Sequence, residues 1–298
     1  MDWNEIVAAL AAAQTGKTSE WAGFTEAITV MGGDINAAYE LRCGPQSFFV
    51  KLNSPDKLPM FEQEAAMLEK LRQSGGLRVP EPLITGVMAS HAYIVMEFLA
   101  IEPANEQSAE ELGEGLARLH QISNAQYGWA DTGWLGLSRQ PNQPSDNWCE
   151  FWRNQRLGFQ LRQALRNGIP PHIGSRLELL NSSVEGLLGN HQPVPALLHG
   201  DCWHGNCGMD ATGRGVIFDP ACYFGDAEAD LALTELFGGF PDSFYRAYWS
   251  VQPRAAEYEV RSQLYQLYHV LNHFNLFGGL YGHRAGTMAE LLLAEMGH

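Results

Sequence analysis

Basic residues are scarce in this chain of 298 residues, which carries 19 lysines and arginines against 34 aspartates and glutamates. The formal net charge of −15 opposes contact with nucleic acid phosphates and with anionic membrane surfaces wherever no local basic patch offsets it. The sequence shows no such patch. We therefore expect neither a nucleic acid partner nor a membrane partner, and the composition gives no indication of an oligomeric state.

Long apolar runs are also absent, so the sequence predicts no membrane-spanning helix. The opening residues, Met1 to Glu5, are acidic rather than basic, which does not favour a secretory signal. The five cysteines are odd in number and scattered, which does not indicate a disulfide framework in a chain of this size. These features together predict a protein of the reducing cytoplasm.

Apolar residues, in contrast, make up 45% of the chain, and charged residues make up 18%. This is the composition of a folded globular protein, and disorder over most of the chain is not expected. A chain of this length can bury one large core or two smaller ones.

The most specific motif is the segment His199–Asn206, with the sequence HGDCWHGN, which is followed by the apolar run Val216–Phe218 and then by Asp219. Phosphoryl transfer requires a carboxylate that orients the attacking hydroxyl group, and oxygen ligands that hold magnesium against the nucleotide phosphates. Asp201 suits the first role, and Asn206 and Asp219 suit the second. The sequence therefore predicts a phosphotransfer site with Asp201 as the catalytic residue.

A zinc site is the competing interpretation of the same segment, because it contains four residues of the types that zinc prefers. These residues are His199, Cys202, His204 and Cys207. No second CxxC or HxxxH pattern lies nearby to complete a tetrahedral site, whereas Gly200, Gly205 and Gly208 suit a tight loop that approaches phosphates. The glycines favour phosphotransfer, with the cysteines and His199 as structural residues.

The N-terminal part of the sequence predicts a helix over residues 3–14. Residues 24–50 show the alternation of apolar and polar residues that is typical of strands, interrupted by turn residues, and so predict a small antiparallel sheet. The turn Met31–Asn36 contains Gly32 and Gly33, which allow the backbone to come close to phosphates. Two adjacent glycines are also common in an ordinary hairpin turn, so this motif alone supports little. Gly32 and Gly33 are candidate nucleotide-binding residues.

A lysine stands in a predicted buried strand, Phe48–Leu52, and a buried lysine requires a partner. Residues 61–73 are strongly helical in pattern, and Glu64 shares the apolar face of this predicted helix. Lys51 and Glu64 could form a purely structural ion pair. In protein-kinase-like enzymes, however, a strand lysine contacts the nucleotide phosphates and a helix glutamate holds it, and these two residues match that order and spacing.

The pattern over residues 93–99 predicts a strand that ends at an acidic position and leads into a proline-containing loop. In a kinase hinge, the backbone groups of Glu97, Phe98 and Leu99 would hydrogen-bond an adenine. An ordinary edge strand explains the pattern equally well.

The remainder of the chain is mainly helical in pattern, with predicted helices over residues 109–121 and 146–166. The terminal helices carry His269 and His273 one turn apart, a spacing that could suit a metal. No acidic residue lies between them, so a polar stripe that faces a cleft is favoured over zinc. His269 and His273 are therefore candidate substrate-binding residues.

In their order along the chain, these motifs resemble the protein-kinase-like fold. Three segments resemble the fructosamine kinase family, also called ketosamine-3-kinases, which is related to aminoglycoside phosphotransferases and choline kinases. These segments are HGDCWHGN, IFDPACYFGDAEADLALTELFGGF and LYHVLNHFNLFGG. The resemblance implies an α+β fold with two lobes. An N-lobe with an antiparallel sheet, residues 1–97, would bind the nucleotide phosphates, and a mainly helical C-lobe, residues 98–298, would carry the catalytic loop, the metal and the acceptor.

The resemblance also implies a reaction: transfer of the γ-phosphoryl group of ATP, with magnesium, to the 3-hydroxyl group of a ketosamine, the sugar-amine adduct that glycation forms. The 3-phosphate then promotes spontaneous breakdown, so members of the family deglycate amines or proteins. Asp201 would orient the hydroxyl group, and Lys51 would hold the α- and β-phosphates. Trp203 would form a wall against the sugar, and Asp230 would brace the catalytic loop.

Two other functions are compatible with the same motifs. The first is a kinase for another small alcohol, such as an aminoglycoside, a choline-like alcohol or a hydroxy amino acid. The second is a nucleotide-binding module without catalytic activity. The presence of Lys51, Asp201, Asn206 and Asp219 argues against the second, because an inactive kinase has usually lost at least one of these residues.

Overall fold

The computed structural model of the chain describes residues 2–13, 23–31, 35–88 and 90–297. Its strands, in chain order, are β1 (Glu26–Thr29), β2 (Ala37–Cys43), β3 (Gln46–Asn53), β4 (Pro82–Met88), β5 (His91–Glu97), β6 (Gly133–Leu135), β7 (Ser138–Gln140), β8 (Ala196–Leu198), β9 (Cys207–Met209), β10 (Gly215–Ile217) and β11 (Tyr223–Gly225). Its helices are α1 (Trp3–Ala13), α2 (Leu58–Ser74), α3 (Glu106–Leu119), α4 (Trp148–Phe151), α5 (Gly158–Arg166), α6 (Pro171–Ser183), α7 (Glu185–Leu188), α8 (Ala227–Leu236), α9 (Asp242–Val251), α10 (Tyr258–Phe277) and α11 (Leu280–Glu295).

The strands β1 to β5 form one antiparallel sheet in the order β1-β2-β3-β5-β4. β3 lies in the middle, hydrogen-bonded to β2 and β5, and successive side chains of a strand face opposite sides of the sheet. Val50 and Leu52 join a core that also contains Ile6 and Leu10 of α1. Lys51, between them in sequence, therefore faces the other side, and it is buried as well.

Helix α2 supplies the partner for this buried lysine. Its apolar face buries Phe61, Leu68 and Leu71, and Glu64 contacts Lys51 from the same helix. The helix ends at Gly75, whose φ of 70° lies in the left-handed region that glycine adopts without strain. The helix predicted over residues 61–73, with Glu64 turned inwards, is confirmed.

One compact unit of the chain combines Met1–Pro103 with the later segment Gly208–Pro220. Glu102 and Met209 each donate a backbone hydrogen bond to the other's carbonyl at 2.9 Å, and the main chain of Arg78 forms a parallel bridge with β10. The observed unit thus differs from the predicted N-lobe of residues 1–97. Hydrogen bonding between segments so far apart leaves no pattern in the sequence, which is why this return of the chain was not predicted.

The second unit comprises Ala104–Cys207 and Ala221–His298, and it consists mainly of helices. Helix α3 packs on α9, and α10 packs on α8 and α11. Trp148 and Trp152 are fully buried in its core, and the ring of Trp152 meets that of Tyr265 edge to face at 4.6 Å. These two tryptophans are therefore packing residues of the core.

The fold class is α+β, as the sequence predicts, with the five-stranded sheet in the first unit and most helices in the second. The helix predicted over residues 146–166 begins at Trp148, and a π-helical stretch, Trp152–Leu157, joins α4 to α5 without interruption. Within the described ranges, no helix combines the length and the apolarity that crossing a membrane requires.

Candidate active site

Lys51 lies between two carboxylates of the first unit. Its Nζ is 2.6 Å from Oε1 of Glu64 and 2.5 Å from Oδ1 of Asp219, and only 7% of its side chain is exposed. The predicted pairing of Lys51 with Glu64 is therefore confirmed as a contact. Asp219 was predicted only as a metal ligand, so its bond to Lys51 is a finding of the structure.

The charges around Lys51 decide its protonation state. Burial would lower the pKa of Lys51, but the negative charges of Asp219 and Glu64 outweigh burial and raise it above its ordinary value. Two carboxyl groups thus share this one ammonium group, and 42% of the Asp219 side chain is exposed. An exposed carboxylate in such a cluster fits magnesium, which prefers oxygen ligands.

The predicted catalytic loop, residues 199–207, lies in the second unit and brings Asp201 and Asn206 together. Nδ2 of Asn206 donates to Oδ2 and to the backbone oxygen of Asp201, in both cases at 2.9 Å. A 3-10 turn over His204–Asn206 brings the asparagine back to the aspartate. Because the amide nitrogen is used in this way, the amide oxygen is the atom that Asn206 can offer to a metal ion. This arrangement fits the predicted magnesium ligand.

Asp230 of α8 holds the beginning of the catalytic loop. Its Oδ2 accepts from the backbone N–H of His199 at 2.7 Å, and its Oδ1 accepts from that of Gly200 at 2.8 Å. Nε2 of His120 lies 3.1 Å from Oδ2. Burial would raise the pKa of Asp230, but the hydrogen bond and charge of His120, with the backbone N–H of Gly200, keep it below its ordinary value. The prediction that Asp230 braces the loop is confirmed.

Gly200 occupies a position in this loop that no side chain can share. Its φ is 82°, and a Cβ there would lie 2.0 Å from the backbone oxygen of Ala221. We expect Gly200→Ala to lower the free energy of unfolding by about 2 kcal/mol or more, because both the strain and the contact must be relieved. Thermal denaturation measures this loss. Gly213→Ala is the control, since Gly213 has a φ of 84° with nothing near its Cβ position. Equal losses in the two variants would contradict the role of the contact with Ala221.

A row of aromatic rings in the second unit connects Trp203 to His273. The ring of Trp203 meets that of Phe237 edge to face at 5.8 Å, and Phe237 lies 4.8 Å from the ring of His273. Trp203 also folds over Gly205, where a Cβ would lie 2.4 Å from the indole. Two predicted substrate-binding residues thus belong to one row. Phe237 was not predicted, because a phenylalanine at the end of an apolar helix gives no separate signal.

The two histidines of α10 differ in what they can contact. His269 is buried, with 5% of its surface exposed, whereas His273 is partly exposed and its Nδ1 donates to the backbone oxygen of His269 at 2.9 Å. Burial lowers the pKa of His269 to about 3 and also lowers that of His273, so both rings are neutral at pH 7. The burial of His269 argues against a direct substrate contact by its ring, and the prediction is better placed on His273.

One group of three potential metal ligands lies together in the described part of the chain, and it consists of His191, Asp226 and Glu228. Oδ2 of Asp226 accepts from the Tyr265 hydroxyl at 2.6 Å and lies 2.6 Å from Nε2 of His191, while both oxygens of Glu228 accept from Arg261. These bonds describe a buried ion-pair network. Neither the histidines and cysteines of the catalytic loop nor the two histidines of α10 form such a group among the described residues, so the structure gives zinc no support there.

The predicted hinge begins where β5 ends. The backbone N–H of Glu97 donates to the carbonyl of Glu81 at 2.8 Å, so this amide is already used within the sheet. The adenine prediction for Glu97 therefore concerns its carbonyl group. Phe98 and Leu99 follow the last strand residue, and their contact with an adenine stays a prediction.

Each of the two units contains part of the predicted site residues. The first unit contains the described residues that were assigned to the nucleotide and its metal: Lys51, Glu64, Glu97, Phe98, Leu99 and Asp219. The second contains the residues assigned to catalysis, the metal and the acceptor: Asp201, Trp203, Asn206, His269 and His273. The turn glycines, Gly32 and Gly33, lie outside the described residues.

Comparisons with known proteins relate the whole chain to one family. The family model described as fructosamine kinase matches residues 3–295. A probable ketoamine kinase of Synechocystis is 45% identical over 269 residues, which are 89% of this chain and 89% of that protein. The chloroplastic protein-ribulosamine 3-kinase of Arabidopsis thaliana is 39% identical over 264 residues, which are 88% of this chain and 80% of that protein.

Solved structures give the same result for the fold. A Haemophilus somnus protein assigned as a fructosamine-3-kinase has a TM-score of 0.88 and 28% identity, and the match covers 96% of both chains. The choline kinase LicA of Streptococcus pneumoniae has a TM-score of 0.63 and 15% identity over 91% of this chain and 94% of its own, a likeness of fold alone. The predicted kinase-like fold is confirmed. Because the family model spans nearly the whole sequence, the chain belongs to the fructosamine kinase family.

Proposed function

We propose that this chain is an ATP-dependent kinase that phosphorylates the 3-hydroxyl group of ketosamines, such as fructosamines and ribulosamines. The observation that carries the proposal is the hydrogen-bonded pair of Asp201 and Asn206 on a loop held by Asp230, in a member of the fructosamine kinase family. Such a loop can present a fixed carboxylate to an attacking hydroxyl group. Phosphoryl transfer depends mainly on this kind of positioning and on neutralisation of charge.

The nucleotide roles follow from the first unit. The ammonium group of Lys51 is protonated and held by Glu64, so it would contact the α- and β-phosphates as a fixed positive charge. The adenine would hydrogen-bond the backbone of the hinge, Glu97 to Leu99. The turn that contains Gly32 and Gly33 would lie against the phosphates, a role that rests on the sequence alone.

The metal roles fall to Asp219 and Asn206, whose carboxylate and amide oxygens are suitable magnesium ligands. Magnesium, when bound, would neutralise charge on the β- and γ-phosphates. Oδ1 of Asp219 is 2.5 Å from Nζ of Lys51, so the aspartate is held in place by the same residue that would contact the phosphates.

The acceptor roles follow from the second unit. Asp201 would accept the proton of the 3-hydroxyl group while the oxygen forms a bond to the γ-phosphorus and the bond from phosphorus to the departing ADP breaks. The sugar would pack against Trp203. The protonated amine of a ketosamine is positively charged. The ring of His273 is neutral and would therefore not repel this amine from the acceptor site. Breakdown of the 3-phosphate would then release the amine and so deglycate it.

Phosphorus NMR of magnesium-ATP mixed with the protein and ribulosyl-lysine tests this function. We expect a new sugar-phosphate resonance and the matching appearance of ADP, with choline and an aminoglycoside as parallel acceptors. Phosphorylation of choline or the aminoglycoside but not of ribulosyl-lysine would replace the proposal with a kinase for another small alcohol. Nucleotide binding without phosphorylation of any acceptor would instead favour a non-catalytic module.

We also propose that the protein works in the cytoplasm, on small or protein-bound ketosamines and without nucleic acid or membrane partners. All five cysteines are buried thiols that form no disulfide with one another, which suits a reducing compartment. The net charge of −15 supports the absence of nucleic acid and anionic membrane partners.

A further inference from the structure

Arg78 stands between α2 and β4 and is attached through its main chain to the strand that leads to Asp219. Its N–H donates to the carbonyl of Gly215 at 3.2 Å, and its carbonyl accepts from the N–H of Ile217 at 3.0 Å. These two bonds enclose the parallel bridge between Arg78 and Val216. They fix the segment that ends, two residues after Ile217, at the proposed magnesium ligand.

The side chain of Arg78 reaches the other end of the proposed nucleotide site. Its Nη2 donates to Oε1 of Glu97, and its Nη1 donates to the carbonyl of Val79 at 3.3 Å. Oε2 of Glu97 accepts from the backbone N–H of Glu81 at 3.3 Å. The ion pair is partly buried, with 26% of the arginine side chain and 33% of the glutamate side chain exposed, so water screens it less than a surface pair.

We propose that Arg78 is a positioning residue for the nucleotide, which ties the hinge at Glu97 to the metal-binding segment at Asp219. This inference rests on the proposed use of ATP. An ATP molecule that contacts the hinge through its adenine and Asp219 through its metal needs both at a fixed separation. Arg78 is joined to both within one compact unit, by its side chain to the first and by its main chain to the second. It does not itself contact the reacting atoms.

The two attachments can be separated by mutation. Any residue except proline retains the backbone bonds to Gly215 and Ile217. Arg78→Ala therefore removes only the side-chain bonds, which are the link to Glu97 and the bond to the carbonyl of Val79. The loss of a charge-assisted hydrogen bond should leave Glu97 free to move the hinge, and we expect about a tenfold weaker affinity for magnesium-ADP. Arg78→Lys retains the positive charge but cannot bond Glu97 and the carbonyl of Val79 at the same time, as the arginine does. This variant should lose less affinity for magnesium-ADP than Arg78→Ala.

Calorimetric titration of magnesium-ADP, without any acceptor, is the first measurement. Arg72→Ala is the matched control, because Arg72 is a similarly exposed arginine of the same unit that pairs with Glu69 and Glu81 instead of Glu97. We expect this control to stay within about twofold of the unmodified protein. Glu97→Ala should weaken binding about as much as Arg78→Ala, and the double variant should be no weaker than either, because both remove the same link.

Steady-state kinetics distinguish a positioning role of Arg78 from a purely structural one, because only the positioning role should change the KM for ATP without changing the KM for the ketosamine. We expect Arg78→Ala to raise the KM for ATP while the KM for the ketosamine and the melting temperature change little. Equal ADP affinities of the Arg78 and Arg72 variants, or losses that multiply in the double variant, would overturn the inference. A similar rise in both KM values with a lower melting temperature would also overturn it, since that pattern indicates general destabilisation.

If the unmodified protein failed to bind ADP, the proposed function itself would fail. If it bound ADP but left ketosamines unphosphorylated, the binding test of Arg78 would still stand.

Discussion

Asp201→Asn is expected to lower turnover by a factor on the order of a hundred or more, while nucleotide affinity stays unchanged. The substitution removes the group that would accept the hydroxyl proton. It retains a side-chain oxygen that can still accept from Nδ2 of Asn206, where the bond is now 2.9 Å long. The loop should therefore keep its conformation, because the bonds that the backbone N–H groups of His199 and Gly200 donate to Asp230 do not involve Asp201.

The rate of sugar-phosphate formation and the affinity for magnesium-ADP should be measured on the same preparation of Asp201→Asn. Asp131→Asn, at an exposed position, is the control for the change of charge. Turnover equal to that of the control would remove Asp201 from the mechanism. Loss of both turnover and ADP binding would show that the residue supports the site rather than the chemistry.

Asp230→Ala is expected to lower the free energy of unfolding by about 3 kcal/mol or more, because each buried hydrogen-bonding group that is left without a partner costs about 1–3 kcal/mol. The alanine would leave two buried backbone N–H groups of the catalytic loop, and Nε2 of His120, without their acceptor. The loop would lose its brace as well, so activity should fall together with stability. Chemical denaturation at pH 7 measures the effect, with Asp242→Asn, at an exposed position in the first turn of α9, as the control.

The effect of Asp230 should depend on pH with a definite sign. Because its pKa is lower in the folded protein than the ordinary value, folding favours the charged carboxylate. The stability that this preference contributes is present above the unfolded pKa of about 3.9, and it is lost as the pH falls through the folded pKa. The difference between the unmodified protein and Asp230→Ala should thus shrink below about pH 4. A difference that did not change with pH would assign the effect to packing rather than to charge.

Local patterns in the sequence were enough to predict the contact between Lys51 and Glu64. A lysine in an apolar strand needs a buried partner, and helical periodicity shows which side of the next helix faces the sheet. Both elements are consecutive in the chain, so their packing follows from short-range information. The contact of Asp230 with the backbone of the catalytic loop was predicted from the family resemblance instead. An acidic residue in an apolar helix does not by itself show which N–H groups it accepts hydrogen bonds from.

Contacts between distant segments could not be predicted in the same way. The approach of Phe237 to Trp203 and His273 joins three separate segments of the chain, and Phe237 alone has the appearance of an ordinary core residue. The ion pair between Arg78 and Glu97 is equally invisible in sequence, because many arginines and glutamates could pair. The burial of His269 was also missed, since spacing along a helix shows that two residues share a face but not how deeply each is covered.

The return of Gly208–Pro220 to the first unit has a consequence for synthesis of the protein on the ribosome. The first 103 residues cannot complete their unit as they emerge, because the strand that pairs with Arg78 and the bonding partner of Glu102 are made only much later. Until then Lys51 has one carboxylate partner instead of two. Nearly three quarters of the chain must therefore be translated before the proposed nucleotide site can exist, and a nascent chain released earlier should be unable to retain ATP.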